Sequence, residues 1–217
     1  MLYLASNRIK LNILFNQFRR AIHVFSCFSL NDIHKHFPYF DNKRLVEWQK
    51  KGYIKKVRNG YYIWEDFQDE IRNCWSISHK CYKPSYISLQ SALSFYSFNP
   101  EGVFSITAIS TAKTFSFEHA DLKFDYRHVK DQLFWGYEVI KSPNGMPYCI
   151  ATPEKAILDT LYLNESISSY ADFDEMRFNK DEINKKINKN TFQQYSLLFG
   201  GHRFKLRSLQ FIKWLDA

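Results

Sequence analysis

Apolar and polar positions alternate with two different periods along this chain, and the change of period divides it. Residues 8–25 carry Ile9, Ile13, Phe18 and Ile22 with no glycine or proline, which predicts a first helix. A second, short helix starts at Ser29, where Ser29-Leu30-Asn31-Asp32 matches a capping box. Leu30, Ile33 and Phe37 share one of its faces, and Pro38 ends it. Asp41 caps a third helix, Asn42 to Lys51, whose Leu45 and Trp48 point one way while its charged residues lie largely on other faces. Gly52 stops it. Two β-rich runs follow, Tyr53–Arg58 and Tyr61–Trp64, and Asn59-Gly60 between them predicts a tight hairpin with φ > 0 at both turn residues. Three helices and then a two-stranded hairpin make the plan of a winged helix-turn-helix. In that plan the third helix enters a major groove and the hairpin is the wing beside it.

Residues 67–82 read as a connecting helix, and Ser88 caps another, with Leu89, Ala92, Leu93 and Tyr96 at helical spacing. The period then shortens. Val103–Ile109, Thr114–Glu118, Leu122–Val129, Phe134–Lys141 and Met146–Ala151 read as strands, which predicts a small antiparallel sheet of four or five strands. Thr152-Pro153-Glu154 opens a helix to about Leu163, with threonine as cap and proline in the first turn. Four polar helical segments follow, over 172–178, 180–189, 190–199 and 203–215. The expected fold class is therefore α+β. A winged helix-turn-helix occupies residues 1–66, and a mixed α/β domain occupies 67–217, with a helical tail from about 164.

Charge sharpens this division. The chain has 217 residues and a net charge of +8. Residues 1–66 hold 12 Lys and Arg against 5 Asp and Glu, so +7 of that charge lies on the first domain. Seven of those basic residues fall between Lys43 and Arg58. Such a local excess points to a polyanionic partner. The expected DNA-binding residues are Asn42, Lys43, Arg44, Lys50 and Lys51 on the third helix, and Lys55, Lys56, Arg58 and Asn59 on the wing. Lys43 and Arg44 sit in the first turn, where base edges are read. Asn42 has the amide that pairs with adenine, and the remaining lysines suit phosphates. Tyr61, Tyr62 and Trp64 read as closing the wing onto the core, with base stacking as the alternative.

Other chemistry is thin. No stretch of 18 apolar residues predicts a membrane-spanning helix, and the first twenty residues lack the pattern of a signal peptide. Cys27, Cys74, Cys81 and Cys149 show no CxxC, which suits reduced thiols in a cytoplasmic protein. The seven histidines form no zinc-ligand spacing; His34 and His36 are two apart on a short helix and diverge. No phosphate-cradling glycine loop and no nucleophile–base pair is evident, so no catalytic, cofactor or metal residue is expected. The nearest approach to a metal-dependent nuclease is Asp125 with Glu138 and Lys141, but that lysine falls on the opposite face of its strand from the glutamate. Asp121-Leu122-Lys123 has the right spacing but no acidic residue before it.

Phe28-Ser29-Leu30-Asn31-Asp32-Ile33, Arg44-Leu45 and the run Lys51-Gly52-Tyr53-Ile54-Lys55-Lys56-Val57-Arg58-Asn59-Gly60-Tyr61-Tyr62 resemble the N-terminal winged helix of the AbiEi family. Ser85–Leu93 and Ala151–Asp159 resemble that family's second domain, in the same order. The resemblance covers roughly residues 25–165. It implies an antitoxin of a bacterial abortive-infection toxin–antitoxin system. The N-terminal domain would bind inverted repeats in its own promoter and repress the operon. The C-terminal domain would neutralise a nucleotidyltransferase-like toxin, directly or functionally. Glu154 and Lys155 are then candidates to face the toxin, although the residues themselves favour a capped amphipathic helix packed on the sheet. Two other readings stay open, a protein-interaction module whose winged helix does not bind DNA, and a metal-dependent nuclease.

Overall fold

The computed structural model describes residues 14–68, 70–100 and 105–217. The expected start of the first helix, with Ile9 and Ile13, and the first two residues of the strand expected from Val103 lie outside the described residues. The chain divides into two compact units, Met1–Asn73 and Cys74–Ala217.

In the first unit, α1 (Phe15–Ile22), β1 (Cys27–Ser29), α2 (Leu30–His36), α3 (Lys43–Lys50), β2 (Ile54–Arg58) and β3 (Tyr61–Trp64) follow in order. The strands form an antiparallel sheet in the order β1-β3-β2. The helix α1 ends at Ile22 rather than near residue 25, because the chain straightens into β1, which pairs with β3 from Cys27 onward. At the start of α2, Ser29 Oγ accepts from the Asp32 N–H at 3.2 Å, and the Asp32 carboxylate accepts from the Ser29 N–H at 2.7 Å. Two orphan helix-end donors are thereby satisfied.

The hairpin turn differs from the expected type. Gly60 has φ +80°, but Asn59 does not share a positive φ. The pairing instead shifts between Lys56 and Arg58. A bulge of this kind adds the local right-handed twist that a primed turn would otherwise supply. Gly60 also accepts from the Leu30 N–H at 3.0 Å, which ties the turn to the start of α2.

An aromatic core holds this unit together. Phe18 lies 4.6 Å from Trp48, 5.5 Å from Phe40 and 5.9 Å from Trp64 between ring centroids. Trp64 and Tyr62 are buried there, and Trp64 Nε1 donates to the Phe25 carbonyl at 2.8 Å.

The division between the units falls within α4 (Ile71–Cys81). The second unit continues with β4 (Ser85–Ile87), α5 (Leu89–Phe95), β5 (Ser105–Ser110), β6 (Phe115–His119), β7 (Leu122–His128), a 3-10 turn at Asp131–Leu133, β8 (Tyr137–Lys141) and β9 (Pro147–Ala151). Five helices complete it: α6 (Pro153–Leu163), α7 (Tyr170–Glu175), α8 (Lys180–Lys186), α9 (Lys189–Leu198) and α10 (His202–Asp216).

The sheet is larger than expected and is not all antiparallel. Six strands run in the order β6-β7-β5-β4-β9-β8, with β5–β7 and β4–β9 parallel. The missed strand is β4, which lies near the middle of the sheet between β5 and β9. All three of its residues are buried, so it shows no alternation from which a strand can be read.

The helix α6 is also more central than an amphipathic surface helix. Its eight consecutive residues Glu154–Leu161 are all buried. It packs against α5, α9, α10 and β9. The C-terminal helices are thus a layer over α6 rather than a loose tail. Phe173, Phe192, Phe211 and Trp214 form the core of that layer, and Arg207 donates to the Leu161 carbonyl at 2.6 Å.

Ser29→Ala removes the α2 cap. A cap of this kind is worth about 1 kcal/mol, so the amides of α2 should exchange with solvent deuterium roughly five-fold faster while those of the second unit keep their rates.

Candidate nucleic-acid interface

The orientation of α3 follows from two side chains. Leu45 and Trp48 are 1% and 2% exposed and anchor the helix on the aromatic core. Helical geometry then turns Lys43, Val46, Glu47 and Lys50 outward, at i, i+3, i+4 and i+7. All four are exposed. Arg44 is half-buried at the flank of this face. Lys51, just past the helix, is exposed. Asp41 Oδ1 accepts from the Lys43 N–H at 3.2 Å, and the exposed Asn42 makes no side-chain cap bond.

Pairing along β2 is regular from Ile54 to Lys56 and shifts only between Lys56 and Arg58, so Lys55 and Lys56 keep opposite faces of the sheet. Both lysines are exposed, between the buried Ile54 and Val57. Lys55 Nζ lies 3.4 Å from Glu65 Oε1 with both groups well solvated. Such a pair is worth little and exchanges readily for a phosphate. The Arg58 guanidinium stacks over the Tyr61 ring at 5.4 Å, and Asn59 at the turn is exposed.

Every expected contact residue of the first unit is therefore at least partly accessible, on one helix and the hairpin that follows it. Between Lys43 and Arg58 the one acidic residue is Glu47, set in the middle of the exposed face of α3. Glu47 and Val46 are chemistry that the basic cluster alone does not reveal. A glutamate accepts from the cytosine amine, and an exposed valine meets a thymine methyl. The signal for Val46, 53% exposed, is its place in the helical register, on the side away from Leu45 and Trp48.

The second unit corrects the expectation for Glu154 and Lys155. Both are buried, at 8% and 0% exposure, because α6 is covered by its neighbouring helices and β9. Glu154 Oε1 accepts from the Asn188 N–H at 2.8 Å, where α9 begins. Lys155 forms an ion pair with Asp159, and neither side chain is exposed. Tyr86 donates to Asp159 at 3.0 Å and accepts from Lys155 at 3.0 Å, while Ser88 donates to Asp159 at 2.8 Å. The ammonium also lies 4.8 Å from the Trp135 ring and 4.7 Å from the Phe199 ring. Burial pulls the lysine down from its ordinary pKa, and the Asp159 charge opposes that shift. Burial pushes Asp159 up, and Lys155, Ser88 and Tyr86 oppose it. Gly136 (φ +71°) closes the cage, since a Cβ there would lie 3.1 Å from Lys155 Cγ.

The residues of the nuclease reading are not brought together. Asp125 is on β7 and Glu138 on β8, with β5, β4 and β9 between them. Four strand spacings separate them by roughly 19 Å. Among the described residues, no group of three or more His, Cys, Asp or Glu side chains is placed to hold a metal ion. No helix among them is long and apolar enough to cross a membrane. No protein-family model matches the chain, and no curated protein matches it significantly.

Asp159→Ala leaves the Lys155 ammonium buried without its counter-charge. The variant should lose about 3–5 kcal/mol of stability in chemical denaturation, and the double variant Lys155→Met/Asp159→Leu should recover most of that loss.

Proposed function

We propose that this chain is an antitoxin of the AbiEi type that binds its own promoter DNA through a winged helix-turn-helix. The observation that carries this reading is the exposed face of α3, cationic at Lys43 and Lys50, followed directly by a hairpin bearing Lys55, Lys56 and Arg58. The element order α1-β1-α2-α3-β2-β3 and the antiparallel order β1-β3-β2 support the winged-helix assignment.

In this reading α3 lies in the major groove. Arg44, Lys43 and Asn42 reach base edges from its first turn, with Val46 and Glu47 further along. Lys50, Lys51 and the wing lysines hold phosphates, and Asn59 is carried at the tip of the wing. Two copies on inverted repeats repress the operon. The near-neutral second unit counteracts a nucleotidyltransferase-like toxin of the same operon, directly or functionally. The protein is a cytoplasmic binding protein, not an enzyme.

The test is fluorescence anisotropy of the full chain on a duplex from its own upstream region, at several salt concentrations. Affinity should fall steeply with salt. Lys43→Ala and Arg44→Ala should each weaken binding by about 1–3 kcal/mol, with relaxed sequence preference where a base contact is lost. Lys55→Ala and Lys56→Ala should weaken all sequences alike, each lowering the salt slope by about one unit. Binding indifferent to salt contradicts the proposal. DNA inertness with tight capture of the neighbouring gene product would instead make the first unit a protein-interaction module.

A further inference from the structure

Four leucines of the second unit are not used by its core. Leu197 and Leu198 on α9 are 60% and 58% exposed, and Leu206 and Leu209 on α10 are 48% and 45% exposed. Both helices already bury an apolar face through Phe192, Phe204 and Phe211. Leu197 and Leu209, with Gln193 and Lys205, line a groove of about 320 Å³ between α9 and α10, floored by Phe192. Leu198 and Leu206 lie outside that lining. Single exposed leucines are ordinary, but a pair on opposite walls of one groove marks an interaction surface.

Lys205 is the charged residue of the groove lining, and the two helices that form the groove are mostly cationic. The helix α9 contains no acidic residue. In α10 the one acidic residue is Asp216, and Lys189 of α9 pairs with it. His202, Arg203, Lys205 and Lys213 are exposed on α10. The surface is therefore a concave apolar strip with a cationic rim. A concave strip takes the stripe of an amphipathic helix, whereas a membrane calls for a convex apolar face and a nucleic acid would leave the leucines unused. The cationic rim selects carboxylates and disfavours a basic partner.

We propose that the α9–α10 groove docks an amphipathic helix of a partner protein, whose apolar stripe is flanked by Asp and Glu. Leu197 and Leu209 meet the stripe, and Lys205 and Lys213, one turn either side of Leu209, meet the flanking carboxylates. The inference stands apart from the DNA-binding reading of the first unit.

The experiment pans the full chain against a displayed library of helical peptides of about 20 residues, randomised on one face. Enriched sequences should carry apolar residues at i, i+3 or i+4 and i+7, flanked by acidic ones. Their affinity should fall at least about ten-fold in Leu209→Asp. Lys205→Glu, a surface change that spares the fold, should also weaken them, and the difference should shrink as salt is added. Thermal melts matching the parent chain establish that both variants fold. Enrichment of basic or uncharged peptides overturns the proposal, as does no enrichment or retained affinity in a folded Leu209→Asp. A dimer in sedimentation that Leu209→Asp dissolves also overturns it, because the occupant is then a second copy of the chain.

Discussion

The rotation of α3 about its own axis is set by the burial of Leu45 and Trp48, and the chemistry of the first unit depends on it. Trp48 packs within 4.6 Å of Phe18 and 5.3 Å of Phe15 between ring centroids. Turning the helix by one residue would expose those apolar side chains and bring Arg44 and Glu47, or Val46 and Gln49, to the core in their place. Fully burying one such side chain is worth about 1.5–3 kcal/mol, and an unpaired buried charge costs more, so the register is held firmly. The result is an outward face on which Lys43, Val46, Glu47 and Lys50 have no core role. The same aromatic core takes in Trp64 from β3, which fixes the hairpin on the same body.

The second unit uses charge in the opposite way. Lys155 and Asp159 are taken out of water and satisfied by one another, by Tyr86 and Ser88, and by the faces of Trp135 and Phe199. A buried pair seldom adds net stability over apolar residues of the same size, but it tolerates few alternative arrangements. Its partners come from β4, the loop after it, α6, the segment before β8 and the end of α9, so one network registers sheet against helices. The surface chemistry of this unit then lies on the layer outside α6, where α9 and α10 leave four leucines exposed.

Much of the first unit is legible in the sequence because its signals are local. The Ser29–Asp32 capping box, the Leu45/Trp48 spacing and Asn59-Gly60 each predict an element that the structure contains. The turn type and the strand β1 are not legible. A three-residue strand is too short to show a period, and a bulge depends on its partner strand. In the second unit five of the six strands could be read, but not the fully buried β4, and not their order and direction, because parallel pairing links residues far apart in the chain. Glu154 and Lys155 show the same limit. A charged residue on a predicted helix reads as solvent-facing, and only tertiary packing reveals that α6 is covered on several sides. Packing also leaves four leucines of α9 and α10 outside the core.

The central claim is that DNA recognition belongs to α3 and the β2–β3 hairpin and to no part of the second unit. Hydrogen–deuterium exchange of the full chain, alone and saturated with a duplex from its own upstream region, tests it most directly. Exchange should slow only in α3 and the hairpin, with α9 and α10 unchanged. Slowing centred on α9 and α10, or none anywhere at saturation, would contradict it.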